Sequence, residues 1–239
     1  MIDWGAVIDA TWPAAQTQAV GPWVIRHGAG GGNRVSAATA SAPVTADDLA
    51  MAETAMRDLG QEIVFALRPG DDAVDQVLAQ AGYIRCDETI IYACPIRLLT
   101  APKPPPVTAF TVWPPLAVQR DIWADGGIGA ARLAVMDRAA GPKTTILGRI
   151  DDRPAATLFV ALHDAVAMLH ALDVAVAHRR KGLAATLTRA AAIWADGQGA
   201  QTFSLLATVA NTGANALYQG LGMAQVGRYH YRAKPKDAT

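Results

Sequence analysis

The sequence predicts an α/β (α+β) protein made of two related units in tandem, and three observations support this prediction. Residues 101–106 contain four prolines in six positions, which removes backbone donors and favours an extended linker. The strands and helices predicted before this linker recur in the same order after it. Gly60 and Gly199 precede corresponding strands and Gly82 and Gly222 follow corresponding helices, at spacings of 139 (199 minus 60) and 140 (222 minus 82) residues. These spacings indicate a duplication, with chance or the glycine common between a helix and a strand as the alternative.

The predicted domains are residues 1–100 and 107–239, joined by the linker at 101–106. In the first domain, strands at 23–26 and 34–38 flank the glycine-rich residues 27–32 and form a predicted hairpin. This glycine-rich turn lacks the Lys-Ser or Lys-Thr of a phosphate loop. The other elements predicted for the first domain are a helix N-capped by Thr45 at 45–59, a strand at 62–67, a helix at 71–81 and a strand at 89–94.

The second domain begins with a helical pattern over residues 116–140 that Gly126 and Gly127 divide into two pieces. A meander of three strands follows, joined by tight turns at 151–154 and 163–164. The elements predicted after the first helices are strands at 144–150, 155–162 and 166–176, a helix at 182–195, a strand at 202–207, a helix at 212–221 and a strand at 228–232.

Composition excludes several classes of protein. With 51% hydrophobic and 18% charged residues, the 239-residue chain can bury a core, so disorder is excluded. The 21 basic and 21 acidic residues cancel, so no overall field favours nucleic acid or a membrane surface as a partner. Cys86 and Cys94 lack the spacing of a metal site, and no metal is expected. The chain begins without a secretory signal pattern, which makes the cytoplasm the expected location.

The residues that best indicate chemistry lie where a predicted strand runs through a basic turn into a helix. Arg179, Arg180 and Lys181 supply positive charge there, next to Gly182 and the small Ala184. A helix N-terminus offers free N–H groups and the positive end of the helix dipole, so the turn suits a phosphate. A basic turn that is merely solvated is the alternative.

This stretch resembles the GNAT (acyl-CoA N-acyltransferase) superfamily, whose signature is Arg or Gln, two residues, Gly, one residue, then Gly or Ala. Residues 179–184, with Leu183 between Gly182 and Ala184, fit the whole signature. The later residues Asn211, Ala214, 217–218 and 221–223 resemble the closing helix of the family. The resemblance covers 107–232 and departs from the family at Val176, where proline is common, and at Ala184, where glycine is commoner.

The resemblance implies a tandem GNAT-like fold with a mixed, mostly antiparallel central sheet flanked by helices, the N-terminal copy being degenerate. It implies an N-acetyltransferase that carries out direct attack of a primary amine on acetyl-CoA within a ternary complex. The residues that it implies for the cofactor are Val174 and Val176, on a strand that splays from its neighbour, then Arg179, Arg180, Lys181, Gly182, Leu183 and Ala184 for the pyrophosphate, and Asn211 beside the cofactor arm. The amide of Val174 would polarise the thioester carbonyl.

Two side chains are candidates for proton transfer. Tyr218 stands where the family places a tyrosine that protonates the leaving thiolate, with simple packing of the last helix as the alternative. His170 is the candidate proton acceptor, and regular alternation would place it on one face with Leu172 and Val174, opposite Asp173. A buried core histidine is the alternative for His170.

The sequence leaves the acceptor and the assembly open. The expected acceptor is a small-molecule or peptide amine, and the protein is expected to be a monomer, as a pseudo-dimer of its two halves, or a homodimer. A non-catalytic module that binds acyl-CoA and a purely structural protein are the alternatives to an enzyme.

Overall fold

The computed structural model describes residues 2–235, which form an eight-stranded sheet and a three-stranded sheet with helices packed on them. The helices are α1 (Trp4–Thr11), α2 (Asn33–Ser36), α3 (Asp48–Asp58), α4 (Asp72–Gln80), α5 (Ala117–Asp125), α6 (Ala130–Arg138), α7 (Leu183–Gly197) and α8 (Thr212–Gly220). The strands are β1 (Gln16–Val20), β2 (Trp23–His27), β3 (Thr39–Ala40), β4 (Val64–Leu67), β5 (Ile84–Pro95), β6 (Ala109–Val112), β7 (Lys143–Ile150), β8 (Arg153–His163), β9 (Val166–Val174), β10 (Thr202–Thr208) and β11 (Ala224–Ala233).

The large sheet takes strands from both sides of the proline-rich linker. Its order is β4-β11-β5-β10-β9-β8-β7-β6, and every neighbouring pair is antiparallel except β9 and β10. This arrangement confirms the predicted mixed, mostly antiparallel sheet. Strand β5, which precedes the linker, lies between β10 and β11, and β11 continues the sheet to β4. The last strand of each half is therefore exchanged into the other half.

The pairing of β5 with β11 is symmetric. Ile84 pairs with Ala233 and Ala93 pairs with Ala224. Adding the spacing of 140 to 93 gives 233, and adding it to 84 gives 224, so each pair maps onto the other. A local twofold axis therefore runs between β5 and β11, and it relates positions 140 residues apart, the spacing on which the predicted duplication was based.

The side chains that hold the exchanged strands obey the same symmetry. Arg232 of β11 donates from Nε to Asp75 of α4 at 2.6 Å. Tyr92 of β5 and Asn215 of α8 are the residues 140 positions from Arg232 and Asp75. The hydroxyl of Tyr92 donates a hydrogen bond to the side-chain oxygen of Asn215 at 3.2 Å. Each exchanged strand thus fastens the helix that precedes the last strand of the other half.

Several predicted elements differ in the structure. Residues 34–38 were predicted as a strand, but 33–36 form helix α2, since the serine hydroxyl and the amide of Ala37 bond back within that turn. Thr45 is not the N-cap of α3; the helix begins at Asp48, whose carboxylate accepts the amide and hydroxyl protons of Thr45. Strands β1 and β6 and helix α1 were not predicted. Helix α1 is capped by Asp3, whose carboxylate accepts the amide proton of Ala6.

The main core joins the two halves. Ile90, Tyr92 and Cys94 of β5 pack with buried residues of α7 and α8 on one face of the large sheet. Cys86 and Cys94 are both free thiols, and burial raises the pKa of Cys94 to about 11. Among the helices formed by residues 2–235, none has the length and apolar character needed to cross a bilayer.

Candidate functional site

A cleft opens where strands β9 and β10 part. The two parallel strands are paired from Thr202 with Val166 to Leu205 with Leu169, and the pairing stops there although both strands continue. The following residues of both strands line a cleft of about 960 Å³. The separated strands expose backbone groups that a ligand can pair with.

A bulge in β9 gives the cleft its shape. Ala171 has φ of +51°, and the register of β9 against β8 shifts between the pairs Phe159 with His170 and Thr157 with Asp173. The indole nitrogen of Trp123 donates to the carbonyl oxygen of Ala171 at 2.7 Å and so holds the bulge in place. The extra residue interrupts the alternation of side chains along the strand.

The bulge corrects the predicted placement of His170. Leu172 and Val174 pack against the core on the α7 side, whereas His170 stacks on Trp12, with ring centroids 4.9 Å apart, on the α1 side. His170 therefore does not share a face with Leu172 and Val174. Asp173 lies on the same side as His170, with its carboxylate against α5, where a Cβ atom on Gly126 would be 1.4 Å from it.

The basic turn forms one end of the cleft. Arg180 and Gly182 have φ of +64° and +81°, and helix α7 begins directly after them. Within residues 2–235, no acceptor pairs with the backbone amides of residues 180–185. A Cβ atom added at Gly182 would meet nothing within 4 Å. The turn therefore presents a row of open N–H groups beside cationic side chains, which suits an anion.

Most of the predicted cofactor residues border this cleft. Those that do are Val174, Arg179, Arg180, Gly182, Leu183, Ala184 and Asn211, together with both proton-transfer candidates, His170 and Tyr218. Lys181 is exposed and does not border the cleft. The prediction that Val176 lies on the strand is wrong: β9 ends at Val174, and the side chain of Val176 is 76% exposed at the start of a short 3-10 turn.

Arg179 links the strand to the basic turn. Its Nε donates to the carbonyl oxygen of Val174 at 2.9 Å, and its Nη2 lies 3.7 Å from a carboxylate oxygen of Asp173. Burial raises the pKa of Asp173 above its ordinary value, although the Arg179 guanidinium and the amide of Val174 act in the opposite direction. Asp173 is therefore a half-buried carboxylate of increased basicity that borders the cleft.

Tyr218 reaches the cleft from α8. Its side chain is 5% exposed, and its ring lies 5.8 Å from that of Tyr92 on the exchanged strand β5. Burial raises the pKa of Tyr218 to about 12, so the hydroxyl keeps its proton at neutral pH. Tyr92 is tied in turn to Asn215, which fixes the position of the helix that carries Tyr218.

His170 is fully engaged by its neighbours. The hydroxyl of Thr11 donates a hydrogen bond to the carbonyl oxygen of Val7 at 2.7 Å. Its oxygen therefore accepts a hydrogen bond from the protonated Nε2 of His170, 2.9 Å away. Nδ1 of His170 then accepts from Nη1 of Arg34 at 3.2 Å. Burial and the nearby Arg34 hold the pKa of His170 well below its ordinary value. These contacts leave no free lone pair on the ring, and they favour the alternative of a buried core histidine.

Asn211, predicted beside the cofactor arm, also caps α8: its side-chain oxygen accepts a hydrogen bond from the amide of Ala214 at 3.0 Å, as Asn at an N-cap commonly does. The cleft further contains three residues that the sequence analysis did not predict. Arg34 and Thr89, from the first half of the chain, and His178, whose buried Nδ1 has no partner within residues 2–235, border the same cleft. His178 stands next to the basic turn and could have been noticed; Arg34 and Thr89 reach the cleft only through tertiary packing.

Comparisons with known proteins agree with this description. A sequence model of the acetyltransferase (GNAT) family matches residues 110–223. The chain is 25% identical over 239 residues to the "uncharacterized N-acetyltransferase YobR" of Bacillus subtilis (strain 168), with 94% of this chain and 95% of that protein covered.

Solved structures with the same fold include proteins of similar length. A GCN5-related N-acetyltransferase from Kribbella flavida superposes with a TM-score of 0.71 at 20% identity and covers 97% of this chain and 94% of its own. A tandem GNAT protein from the clavulanic acid biosynthesis pathway gives a TM-score of 0.57 at 16% identity, with 80% of this chain and 69% of its own covered. At these identities the structures show a shared tandem fold.

Proposed function

Because this chain belongs to the GNAT acetyltransferase superfamily through its C-terminal half, we propose that it is an N-acetyltransferase that transfers the acetyl group of acetyl-CoA to a primary amine. The observation that carries the proposal is the meeting, in one cleft, of the parted strands β9 and β10 with the open amides of the basic turn. A thioester with a pyrophosphate at the far end of a long arm has the two features that such a cleft can bind.

The residues of the cleft fit acetyl-CoA as a substrate. The amides of 180–185 and the guanidinium groups of Arg179 and Arg180 would hold the pyrophosphate, and the open space at Gly182 permits close approach. The edge of β9 beyond Leu169 would pair with the pantetheine arm, with the side-chain amide of Asn211 nearby. Lys181 would add long-range attraction from outside the cleft.

The reaction forms a bond from the amine nitrogen to the acetyl carbon and breaks the bond from that carbon to sulfur. Tyr218 would donate its phenolic proton to the departing thiolate, since its raised pKa keeps that proton available. The amide of Val174 would stabilise the negative charge on the carbonyl oxygen, which requires that it turn from the adjacent carboxylate of Asp173 to the thioester.

An ammonium group must lose a proton before it attacks, and Asp173 is the better acceptor for that proton. Burial raises the pKa of Asp173, and its carboxylate borders the cleft on the side of α5. His170 would instead act as a positioning residue, because both of its nitrogens are bound to Thr11 and Arg34. Asp173 takes the first proton from the ammonium group, directly or through a water molecule, before the attack. The second proton, which the nitrogen loses as the amide forms, returns to the Tyr218 oxygen through water and replaces the proton given to the thiolate.

The proposal is tested by the release of free thiol from acetyl-CoA in the presence of a broad amine panel. Tyr218→Phe should lower kcat by about 100- to 10,000-fold while acetyl-CoA still binds. Gly182→Glu should abolish acetyl-CoA binding through steric and charge conflict with the pyrophosphate.

The matched control is Gly199→Glu, just after the C-terminal end of α7, where φ is also positive (+89°) and an added side chain likewise meets nothing within 4 Å. That variant should bind acetyl-CoA as the unmodified protein does. Tight binding by the Gly182→Glu protein would refute the assignment of the basic turn. Saturable binding with no turnover for any amine would instead indicate a non-catalytic acyl-CoA-binding module.

A further inference from the structure

An arginine from the first half of the chain enters the cleft of the second half. Arg34 lies on the short helix α2, and its guanidinium borders the cleft together with His170 and Asp173. The hydrogen bond from Arg34 to His170 joins residues that are 136 positions apart. The N-terminal half, which lacks a basic turn of its own, thus supplies a cation to the site on the α1 side of β9.

The charge of Arg34 has no carboxylate partner among residues 2–235. Its Nε is buried and has no hydrogen-bond partner, and no carboxylate forms an ion pair with it, within residues 2–235. Asp87 lies in the same region but contacts Asn33, at 3.5 Å. A half-buried guanidinium without a counter-ion among residues 2–235 is costly for a folded protein, and an oxyanion bound to its outer N–H groups would offset that cost.

The surrounding residues orient Arg34 without cancelling its charge. Nδ1 of His170 accepts a hydrogen bond from the guanidinium, and Thr11 holds the imidazole in place. The ring of Trp12 lies 5.9 Å from the guanidinium carbon. A neutral imidazole and an indole can hold the guanidinium plane in place. The outer part of the guanidinium remains free to bind a planar or tetrahedral oxyanion through two N–H groups.

The opposite charge needed for an amine lies on the same side of β9. Asp173 is three positions after His170, with its carboxylate on the same side of the strand. A molecule with an ammonium group and an oxyanion would find a partner for each charge in one cleft.

We infer that the acceptor is an amine that also carries an oxyanion, a carboxylate or a phosphate, and that Arg34 binds this group. The inference rests on the proposed function. It assigns to the N-terminal half the selection of the acceptor, while the C-terminal half holds acetyl-CoA.

The test uses the full chain, acetyl-CoA and pairs of amines that differ only in the anionic group. Suitable pairs are phenylalanine with phenethylamine, lysine with 1,5-diaminopentane, β-alanine with ethylamine, and O-phosphoethanolamine with ethanolamine. For at least one pair, kcat/KM should be about 10- to 100-fold higher for the anionic member, the range expected for a charged hydrogen bond. The pair that shows the preference distinguishes a carboxylate from a phosphate.

Arg34→Gln should remove that preference by raising KM for the anionic amine, so that kcat/KM falls by a larger factor for the anionic amine than for its neutral partner. Arg34→Lys should restore part of the preference, since it keeps the charge but not the two-pronged geometry. Arg228→Gln, which removes an exposed arginine of β11 that pairs with Glu88, is the control and should change neither value.

Three results would overturn the inference while leaving the proposed function intact. The first is thiol release at equal rates from both members of every pair. The second is an equal loss for both members in Arg34→Gln. The third is an Arg34-dependent preference for succinyl-CoA over acetyl-CoA, which would assign the oxyanion to the donor.

A binding measurement decides the matter if no amine in the panel is acetylated. In the presence of coenzyme A, millimolar propionate or phosphate should raise the thermal midpoint of the protein and should have a smaller effect on Arg34→Gln. The absence of any difference between the two proteins would overturn the inference, whereas failure to bind coenzyme A itself would overturn the proposed function.

Discussion

Replacing Asp75 with Asn should destabilise the folded protein by weakening the contact between α4 and the exchanged strand β11. The carboxylate of Asp75, on α4, accepts three hydrogen bonds from β11, two from Arg232 at 2.6 and 3.0 Å and one from His230 at 2.7 Å. Its side chain is 26% exposed, so the interaction is partly shielded from solvent. These contacts hold the pKa of Asp75 down, from 3.8 to about 2, mainly through the hydrogen bonds of Arg232.

The size of the effect follows from this pKa. A carboxyl whose pKa falls from 3.8 to about 2 on folding stabilises the native state by ~2 kcal/mol at neutral pH. Because the folded pKa is the lower one, this contribution is present above the unfolded value and is lost as the pH falls toward the folded value. It should decrease by about half between roughly pH 5 and roughly pH 3.

Urea denaturation of the unmodified and Asp75→Asn proteins at several pH values measures this difference. The control is Asp152→Asn, the same change in an ion pair with Arg149 where the carboxylate side chain is 91% exposed, and it should cost less than about 0.5 kcal/mol. A difference for Asp75→Asn no larger than that of the control, or one that does not shrink on acidification, would refute the reasoning.

Three further substitutions probe the cleft and the core. Trp123→Phe removes the donor to the Ala171 carbonyl and should cost ~1–3 kcal/mol in urea denaturation and lower kcat/KM by thiol release. Gly141→Ala should cost at least about 1 kcal/mol in thermal unfolding, because its Cβ would lie 2.2 Å from a backbone carbonyl oxygen of β8, whereas Gly220→Ala meets nothing and should be neutral or stabilising. Asp173→Asn should abolish the rise of kcat/KM with pH, and unchanged activity would contradict the proposed role of Asp173. The same change should stabilise the protein at neutral pH, because burial raises the pKa of Asp173 in the folded state and so makes its charged form unfavourable there.

Most helices and strands of the second half were predictable because their signals are local. Gly182 and Asn211 mark the starts of α7 and α8, and each helix begins directly after its marker. The basic turn follows from its charges and from the glycine at the helix start. Helix starts, turns and alternating strands depend on neighbours within a few positions, so one sequence suffices to predict them.

The features that the sequence did not reveal depend on distant contacts. The bulge at Ala171 carries no residue that is typical of positive φ, and its position is set by Trp123 on a preceding helix. The predicted face of His170 was wrong for this reason, since one extra residue reverses the alternation. The exchange of β5 and β11 was equally hidden, because in a duplicated chain each last strand matches either half.

The exchange gives a physical reason why the half without a basic turn remains attached to the half that has one. Strand β5 covers the edge of β10, and its Tyr92 packs against Tyr218 and fixes α8 through Asn215. Without the first half, the edge of β10 would be an open row of donors and acceptors, and the tyrosine proposed as the acid would lose its support. The same half supplies Arg34 to the cleft. The first half therefore completes the large sheet and contributes a side chain to the cleft, although it has no basic turn of its own.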